Sequence, residues 1–516
     1  MFLQKTNPKN IQFLLIVGCF SVIIGLLFSK AILSLSTAYL ILLFILRGNY
    51  SEGYTRLKKN KAFLFFLLFI AFYVVSLTWS SLINKGISDL LSKSNLILLP
   101  FVLIALPALS SKNKTYILRL FAAFVIIESS INFTLFELNF TPDQDIRSMS
   151  IFISHIRFSL FVVFAIFILA YQKQTKIGVK IIYWLGIAWL LFYTYYAQVL
   201  SGVLTCIVCV LVLLIIGLKN TNKWVRIFSY SSFAAIILVS SLGIYIFNTS
   251  SKKNINIKVY PTYTKLGHLY FHDTTSKTIE NGYPLYCFIN EQELDSTWKT
   301  RSKIALNTHT KNDFSYHTVL IRYLTSKGLT KDAEGINQLS NKDIKNIELG
   351  IPTILNLQSG LENKINELHY QLNLFENPNG HSILQRLEYW KTGWSIFKKN
   401  WLIGTGIGDY KETYQQEYTK SNSILEPKNR LESHNQFLGI AIATGSLGLF
   451  LFLMHMTYTF RMFWQKKEEL PILFLSICIT SFLVEDTLTT LAGMSFYSFF
   501  NGFFISNNSI KNEINN

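Results

Sequence analysis

The chain runs to 516 residues, half of them hydrophobic and 15% aromatic, with a mean hydropathy of +0.31. That balance is too apolar for a soluble globular protein of this length. The formal net charge of +18 forms no basic face on a soluble segment, so it reads as a membrane-topology signal and excludes a nucleic-acid partner.

Apolar runs long enough to cross about 30 Å of hydrocarbon recur along the sequence. In chain order they are Ile11–Ser29, Ala31–Leu46, Ala62–Trp79, Asn95–Leu109, Thr115–Leu138, Ile156–Tyr171, Ile177–Tyr193, Leu200–Leu218 and Arg226–Phe247. After a long polar stretch come Phe437–Phe460, Pro471–Val484 and Leu491–Ser506. Their apolarity is continuous rather than alternating, which predicts helices and not a barrel. The fold class is therefore all-α, a polytopic helical membrane protein of about 12 spans. The first run lacks a small-residue cleavage site and is closely followed by a second, so a retained anchor is expected rather than a removed signal peptide.

Every second short loop is basic: Arg47–Lys61, then Lys112 and Lys114, Lys173 and Lys176, Lys219 to Arg226, and Arg461 to Lys467. The loops between are poorer in Lys and Arg, and Thr194–Val199 and Glu485–Gly493 have none. The positive-inside rule then places both termini in the cytoplasm. Four regions follow: an N-terminal bundle at 1–248, a large extracytoplasmic loop at 249–433, C-terminal spans at 434–506 and a tail at 507–516. Within the loop, Val259–Phe288 reads as extended or irregular. Ser315–Lys327, Asn341–Ile351 and Ile383–Lys398 carry helical spacing. Asp332 to Gly335 and Glu376 to Gly380 read as turns. The loop holds a single cysteine, Cys287, so no intramolecular disulfide forms there.

Some motifs lose their first appeal. Gly404-Thr405-Gly406-Ile407-Gly408-Asp409 lacks the spacing of a nucleotide loop; a tight turn is expected, although its backbone N–H groups could approach an anion. His268 and His272 have metal-ligand spacing only if helical, and Gly267 argues against a helix, so no metal site is assigned. Cys206 and Cys209 lie inside a span and are expected to be core residues.

An ordered set in the C-terminal half carries more weight. Arg386-Leu387-Glu388-Tyr389-Trp390 is followed by Asn400-Trp401-Leu402-Ile403-Gly404-Thr405-Gly406-Ile407-Gly408. Ser433-His434-Asn435 then runs into Gly445-Ser446-Leu447-Gly448-Leu449. Order and spacing resemble the O-antigen ligase and O-antigen polymerase superfamily of bacterial membrane glycosyltransferases, with an enlarged loop. The resemblance implies a GT-C-like helical fold in the inner membrane with the loop in the periplasm. It also implies an inverting, metal-independent transfer of a glycan from undecaprenyl diphosphate to a hydroxyl acceptor, with no cofactor. That acceptor is a lipid A-core sugar for a ligase, another lipid-linked repeat for a polymerase, or a protein for an O-oligosaccharyltransferase.

By the same resemblance His434 falls on the family's catalytic histidine, acting either as a base or as a diphosphate contact. Arg386 falls on the arginine of R-x-x-x-W and is expected to act in catalysis and diphosphate binding. Arg157, at the start of the sixth span, and Arg322 are further diphosphate candidates, with Arg301 behind them. Guanidinium suits the task because it binds phosphate oxygens bidentately and keeps its proton. Histidine suits the other because it titrates near neutral pH. One departure stands out: many ligases carry an S-R-x-G element near the outer end of a span, and here Leu200-Ser201-Gly202-Val203-Leu204 has no arginine. A transporter would instead need ionisable residues deep within its spans, where only Glu128 is clearly placed.

Overall fold

The computed structural model describes residues 8–139, 146–172, 176–219, 222–233, 260–276, 278–310, 314–354, 378–379 and 382–506. The protein is an all-α polytopic membrane protein, and among the described residues the only strand pair is Ile279–Glu280 with Tyr283–Pro284. Seven helices are long and apolar enough to cross a membrane, and the bent pair Ile83–Ser92 and Ser94–Ala105, folded by 42°, makes an eighth if taken as one span. The fourth expected run is the second half of that pair. The ninth, Arg226–Phe247, is helical over 223–233 and otherwise lies outside the described residues.

Three expected spans form shorter helices, His155–Tyr171, Glu469–Val484 and Leu491–Ile505. Their sequences give the reason. Each is apolar on every side rather than on one stripe, and each is buried nearly all round, as Phe158–Leu169 and Gly493–Ile505 are. They form the centre of the bundle, where Phe121, Phe164, Phe474, Phe496 and Phe500 meet with ring centroids 4.9–6.2 Å apart. Edge-to-face and tilted rings of this kind add to the packing energy beyond simple burial. Longer helices surround them. Within this core His455 is satisfied by the Ala62 carbonyl at 2.8 Å and the Tyr497 hydroxyl at 2.7 Å, which makes it a structural histidine. Cys209 is buried inside Leu200–Leu218, as expected of a core residue.

The large loop contains two separate cores. The first packs Leu294 and Trp298 of Glu291–Arg301 against Leu320 and Tyr323 of Tyr316–Ser326, with Ile344 and Ile347 of Asn341–Glu348. Helices near 315–327, 341–351 and 383–398 form as expected, while Glu291–Arg301 and Tyr410–Lys420 appear where none was assigned. Asp332, expected in a turn, caps the short helix Ala333–Asn337 by accepting the Gly335 N–H at 2.8 Å. The turn expected at Glu376 to Gly380 lies largely outside the described residues. The second core joins Tyr389 and Ile396 of Ser382–Lys399 to Tyr414 and Tyr418 of Tyr410–Lys420, and both to Ile442 of the long helix Gln436–Gln465. This second core fixes the loop's last part against the membrane bundle.

Candidate functional site

His434 stands just ahead of Gln436–Gln465. Asn435 caps that helix, accepting the Leu438 N–H at 3.0 Å and donating its side-chain amide to the Leu483 carbonyl at 2.9 Å. His434 adopts φ 44°, a left-handed conformation that is uncommon for a residue with a Cβ. Asp486 compensates: its carboxylate accepts the His434 backbone N–H at 2.9 Å and the Ser433 hydroxyl at 3.2 Å. The imidazole stacks on Tyr389, centroids 5.5 Å apart and planes 28° from parallel. Tyr389 is itself fixed by its hydroxyl, which donates to the Asn429 carbonyl at 2.9 Å.

At the centre of the site is Glu485, 2% exposed, from the turn after Glu469–Val484. Arg386 of Ser382–Lys399 donates to its Oε1. Arg157 of His155–Tyr171 places Nη2 3.6 Å from Oε2, and His434 Nδ1 is 3.4 Å from the same oxygen. Burial by itself would raise the Glu485 carboxyl. The His434 contact and the Arg386 and Arg157 guanidinium groups outweigh it and hold the carboxyl below its ordinary value. Next door at Asp486 burial wins, and that carboxyl is raised despite His434 and Ser433. Two guanidinium groups therefore face one ionised Glu485, with the Asp486 carboxyl beside them. A proton on Nδ1, facing Glu485, leaves Nε2 as the basic nitrogen of the ring.

Three of the four site residues expected from the sequence are thus brought together: His434, Arg386 and Arg157. Arg322 is not among them. Its guanidinium is buried in the first loop core, where Nε donates to Glu280 at 3.0 Å, because helix Tyr316–Ser326 turns that face inward. Arg301 is likewise spent on the Ile336 and Leu339 carbonyls, at 3.2 and 2.8 Å. His268 and His272 also go separate ways, one to Glu293 at 2.7 Å and the other to the Pro261 carbonyl at 2.9 Å. Glu485 escaped sequence reasoning, which noted its loop only for lacking Lys and Arg. The available signal was an acidic pair just after the end of an otherwise apolar helix.

The glycine strap has a different task from the one its N–H groups suggested. Gly445 breaks Gln436–Gln465 with φ 67° and ψ −171°, freeing carbonyls one turn earlier. Thr405 N–H donates to the Ile442 carbonyl at 2.8 Å and Gly406 N–H to Ala443 at 3.0 Å. Ser446 N–H returns a bond to Trp401 at 2.7 Å. Gly408 N–H goes to Ser80 Oγ at 3.1 Å, and Asp409 accepts the Ser81 and Leu82 N–H groups at 2.7 and 2.8 Å. These N–H groups are committed to protein acceptors, so the strap is a clamp and not an anion nest. A Cβ on Gly445 would sit 2.2 Å from the Leu402 carbonyl oxygen, which is why the approach requires glycine. A comparable close contact occurs at Gly202, where a Cβ would lie 2.8 Å from Ser159 Cβ. It sets the arginine-free Leu200 to Leu204 element beside the helix turn that carries Arg157.

No curated protein matches the chain. Residues 348–453 match the sequence model of the O-antigen ligase family. The matched segment holds Arg386, the strap, His434 and the first half of Gln436–Gln465, whereas Arg157 and Glu485 reach the site from outside it. Within a polytopic helical membrane protein, residues 348–453 are thus similar to the O-antigen ligase family.

Proposed function

We propose that the protein is an O-antigen ligase-like glycosyltransferase. It moves a glycan from undecaprenyl diphosphate to a hydroxyl of a lipid A-core sugar at the periplasmic face of the inner membrane. The observation carrying this reading is the convergence of His434, Arg386 and Arg157 on buried Glu485, with His434 and Arg386 inside the segment matched by the O-antigen ligase family.

The chemistry follows from those groups. A lipid-linked diphosphate is its own leaving group, so the transfer needs neither nucleotide nor cofactor. Arg386 and Arg157 hold the diphosphate oxygens and stabilise the charge that grows on them as the glycosidic bond breaks. Glu485 keeps both guanidinium groups in place before the donor arrives and orients the imidazole through Nδ1. His434 Nε2 takes the proton of the acceptor hydroxyl as that oxygen attacks the anomeric carbon from the side opposite the diphosphate, which inverts its configuration. Arg157 supplies the charge that the Leu200 to Leu204 element lacks. Both termini lie in the cytoplasm in this reading, with the large loop in the periplasm.

Lipid analysis of a deletion strain tests it. Loss of all long glycan from lipid A, with lipid-linked glycan accumulating, is the expected result. Lipid A bearing a single repeat would identify a polymerase instead, and unchanged lipid A with unglycosylated exported proteins would identify a protein glycosyltransferase.

A further inference from the structure

The first loop core carries, at 262–271, a hairpin turn with its polar groups inside and its apolar groups outside. Thr264 N–H donates to the His268 carbonyl at 2.7 Å and Tyr270 N–H to Thr262 at 3.0 Å, and Gly267 turns the tip at φ 86°. Extended side chains alternate between two sides. On the inner side buried Thr264 donates to Glu293, and Tyr270 donates to Asp332. The backbone is tied down as well: the Leu269 carbonyl accepts the Asn290 side-chain amide at 2.8 Å, and Phe271 N–H donates to Ile289 at 2.7 Å. On the outer side Tyr263, which pairs with Leu269 across the turn, joins Leu266 and Phe271. These four are 60–65% exposed, and Tyr260 and Tyr286 nearby are exposed too. No other large apolar side chain described between 260 and 354 is exposed. A Cβ on Gly267 would meet nothing within 4 Å, so the tip stands clear of the described protein.

Concentrated apolar exposure on a rigidly held element marks a surface that something else covers. The surroundings select a bilayer. The ninth expected span ends at Phe247, and 12 residues separate it from Tyr260. At about 3.4 Å per residue they keep the hairpin within about 40 Å of the point where the chain leaves the membrane. From Phe247 to His272 the sequence holds Lys252, Lys253, Lys258 and Lys265, the last paired with Glu334, and no Asp or Glu. That balance complements anionic lipid head groups. The side chains also suit an interface, with leucine and phenylalanine for the acyl boundary and tyrosine for the head-group level. A glycan-binding face would instead need polar groups among its rings, where this one offers Leu266 and Leu269.

We propose that this hairpin docks the enlarged loop onto the bilayer surface, with Tyr263, Leu266, Leu269 and Phe271 seated among anionic phospholipids. Docking gives the loop a second attachment to the membrane, in addition to the core that joins Tyr389 and Tyr414 to Ile442. The polar inner side then has its purpose: it holds the hairpin rigid so that the apolar side is presented outward. The assignment needs nothing from the ligase reading.

The test uses the full-length protein reconstituted into vesicles of phosphatidylethanolamine and phosphatidylglycerol. An environment-sensitive fluorophore is attached at Leu266→Cys, and at Lys342→Cys as an exposed control on the same loop core, with the unsubstituted protein giving the labelling background. Nitroxide carried on the lipid acyl chains should quench the label at 266 and leave the label at 342 untouched. Adding Tyr263→Asp and Leu269→Asp should lower the docked fraction about tenfold or more, because both side chains are exposed and their loss spares the core. Replacing phosphatidylglycerol with phosphatidylcholine should weaken the quenching, and equal quenching in the two lipids would overturn the assignment to an anionic surface. An unquenched, solvent-exposed label at 266 would overturn the proposal. So would a label shielded from solvent yet untouched by lipid nitroxide, which would mean that a second copy or another part of this chain covers the hairpin. Should the Asp variant fail to fold, Leu266→Cys alone decides. Quenching requires no glycan donor and no transfer, so its outcome and that of the ligase reading are separate.

Discussion

Glu485→Gln separates a positioning role from a purely structural one. The substitution keeps shape and burial but removes the charge that three partners share. At an effective dielectric of about 20, unit charges some 4 Å apart attract by about 4 kcal/mol. Against this, a buried carboxylate carries a desolvation cost of several kcal/mol that Gln does not. The amide also turns an N–H toward a donor, since Arg386, Arg157 and His434 together present more donors than one carbonyl oxygen can accept. The net loss of stability should be about 2–3 kcal/mol, visible as a lower melting temperature in a protein that still inserts. Turnover should fall by about 10²–10⁴-fold, because the imidazole loses the carboxylate acceptor that sets its tautomer. Donor KM should not rise and is expected to fall, since Arg386 and Arg157 face the diphosphate with one negative charge fewer. The assay is transfer from a lipid-diphosphate glycan in purified membranes, with kcat and donor KM resolved at matched protein level. A Glu485→Gln enzyme with wild-type kcat, or one whose whole defect lies in a raised donor KM, would refute the reasoning.

His434→Ala should reduce turnover by about 10²–10⁴-fold with a smaller change in donor binding, whereas Arg386→Lys should impair both because a point charge replaces a planar fork. Steady-state kinetics on both variants checks this. Gly445→Ala should cost about 2–3 kcal/mol, read as melting temperature and membrane abundance, because its Cβ would meet the Leu402 carbonyl at 2.2 Å in a left-handed backbone. Glu485 also sets an acid limit. Its folded value lies below the unfolded value of about 4.3, so its stabilisation is fully present above that pH and is lost as pH falls through the folded value. Melting of the wild type should therefore drop on acidification below about pH 4 more than melting of Glu485→Gln does. Reporter fusions at Lys59, Lys114, Lys176, Lys223 and Lys467 should report cytoplasm, and those at Asn307 and Asn363 the exterior.

Continuous apolarity located most of the described helices of the bundle, though not Ile83–Ser92, because a span must bury or face lipid with every side chain and writes that demand into composition. It could not separate lipid-facing spans from central ones. His155–Tyr171 and Leu491–Ile505 are as apolar as their neighbours, yet they are packed on all sides by protein. Helical periodicity in the loop found Tyr316–Ser326 but not Glu291–Arg301 or Tyr410–Lys420. In those two only a few positions are buried, among them Leu294 and Trp298 in one and Tyr414 and Tyr418 in the other, and charged residues fill much of the rest.

The site was legible to the extent that its chemistry is local. His434 and Arg386 lie in short ordered motifs, and Arg157 lies in the first turn of an apolar helix, so each could be named from its own surroundings. Glu485 could not, because what makes it important is non-local: four helices or their ends must meet before one carboxylate can touch two guanidinium groups and an imidazole. Arg322 failed for the complementary reason. Its motif gave residue type and spacing, but whether an arginine points at substrate or into a core depends on which side its helix buries, and Glu280 was waiting on the buried side. The strap shows the same logic in backbone terms. Its glycines advertise free N–H groups until Gly445 breaks the neighbouring helix and presents carbonyls for them to bind. The pairing of one irregularity with another, Gly404 to Gly408 against Gly445, therefore carries the tertiary information, and it holds the first turns of the long helix, and with them His434, against the end of Ser382–Lys399 that follows Arg386.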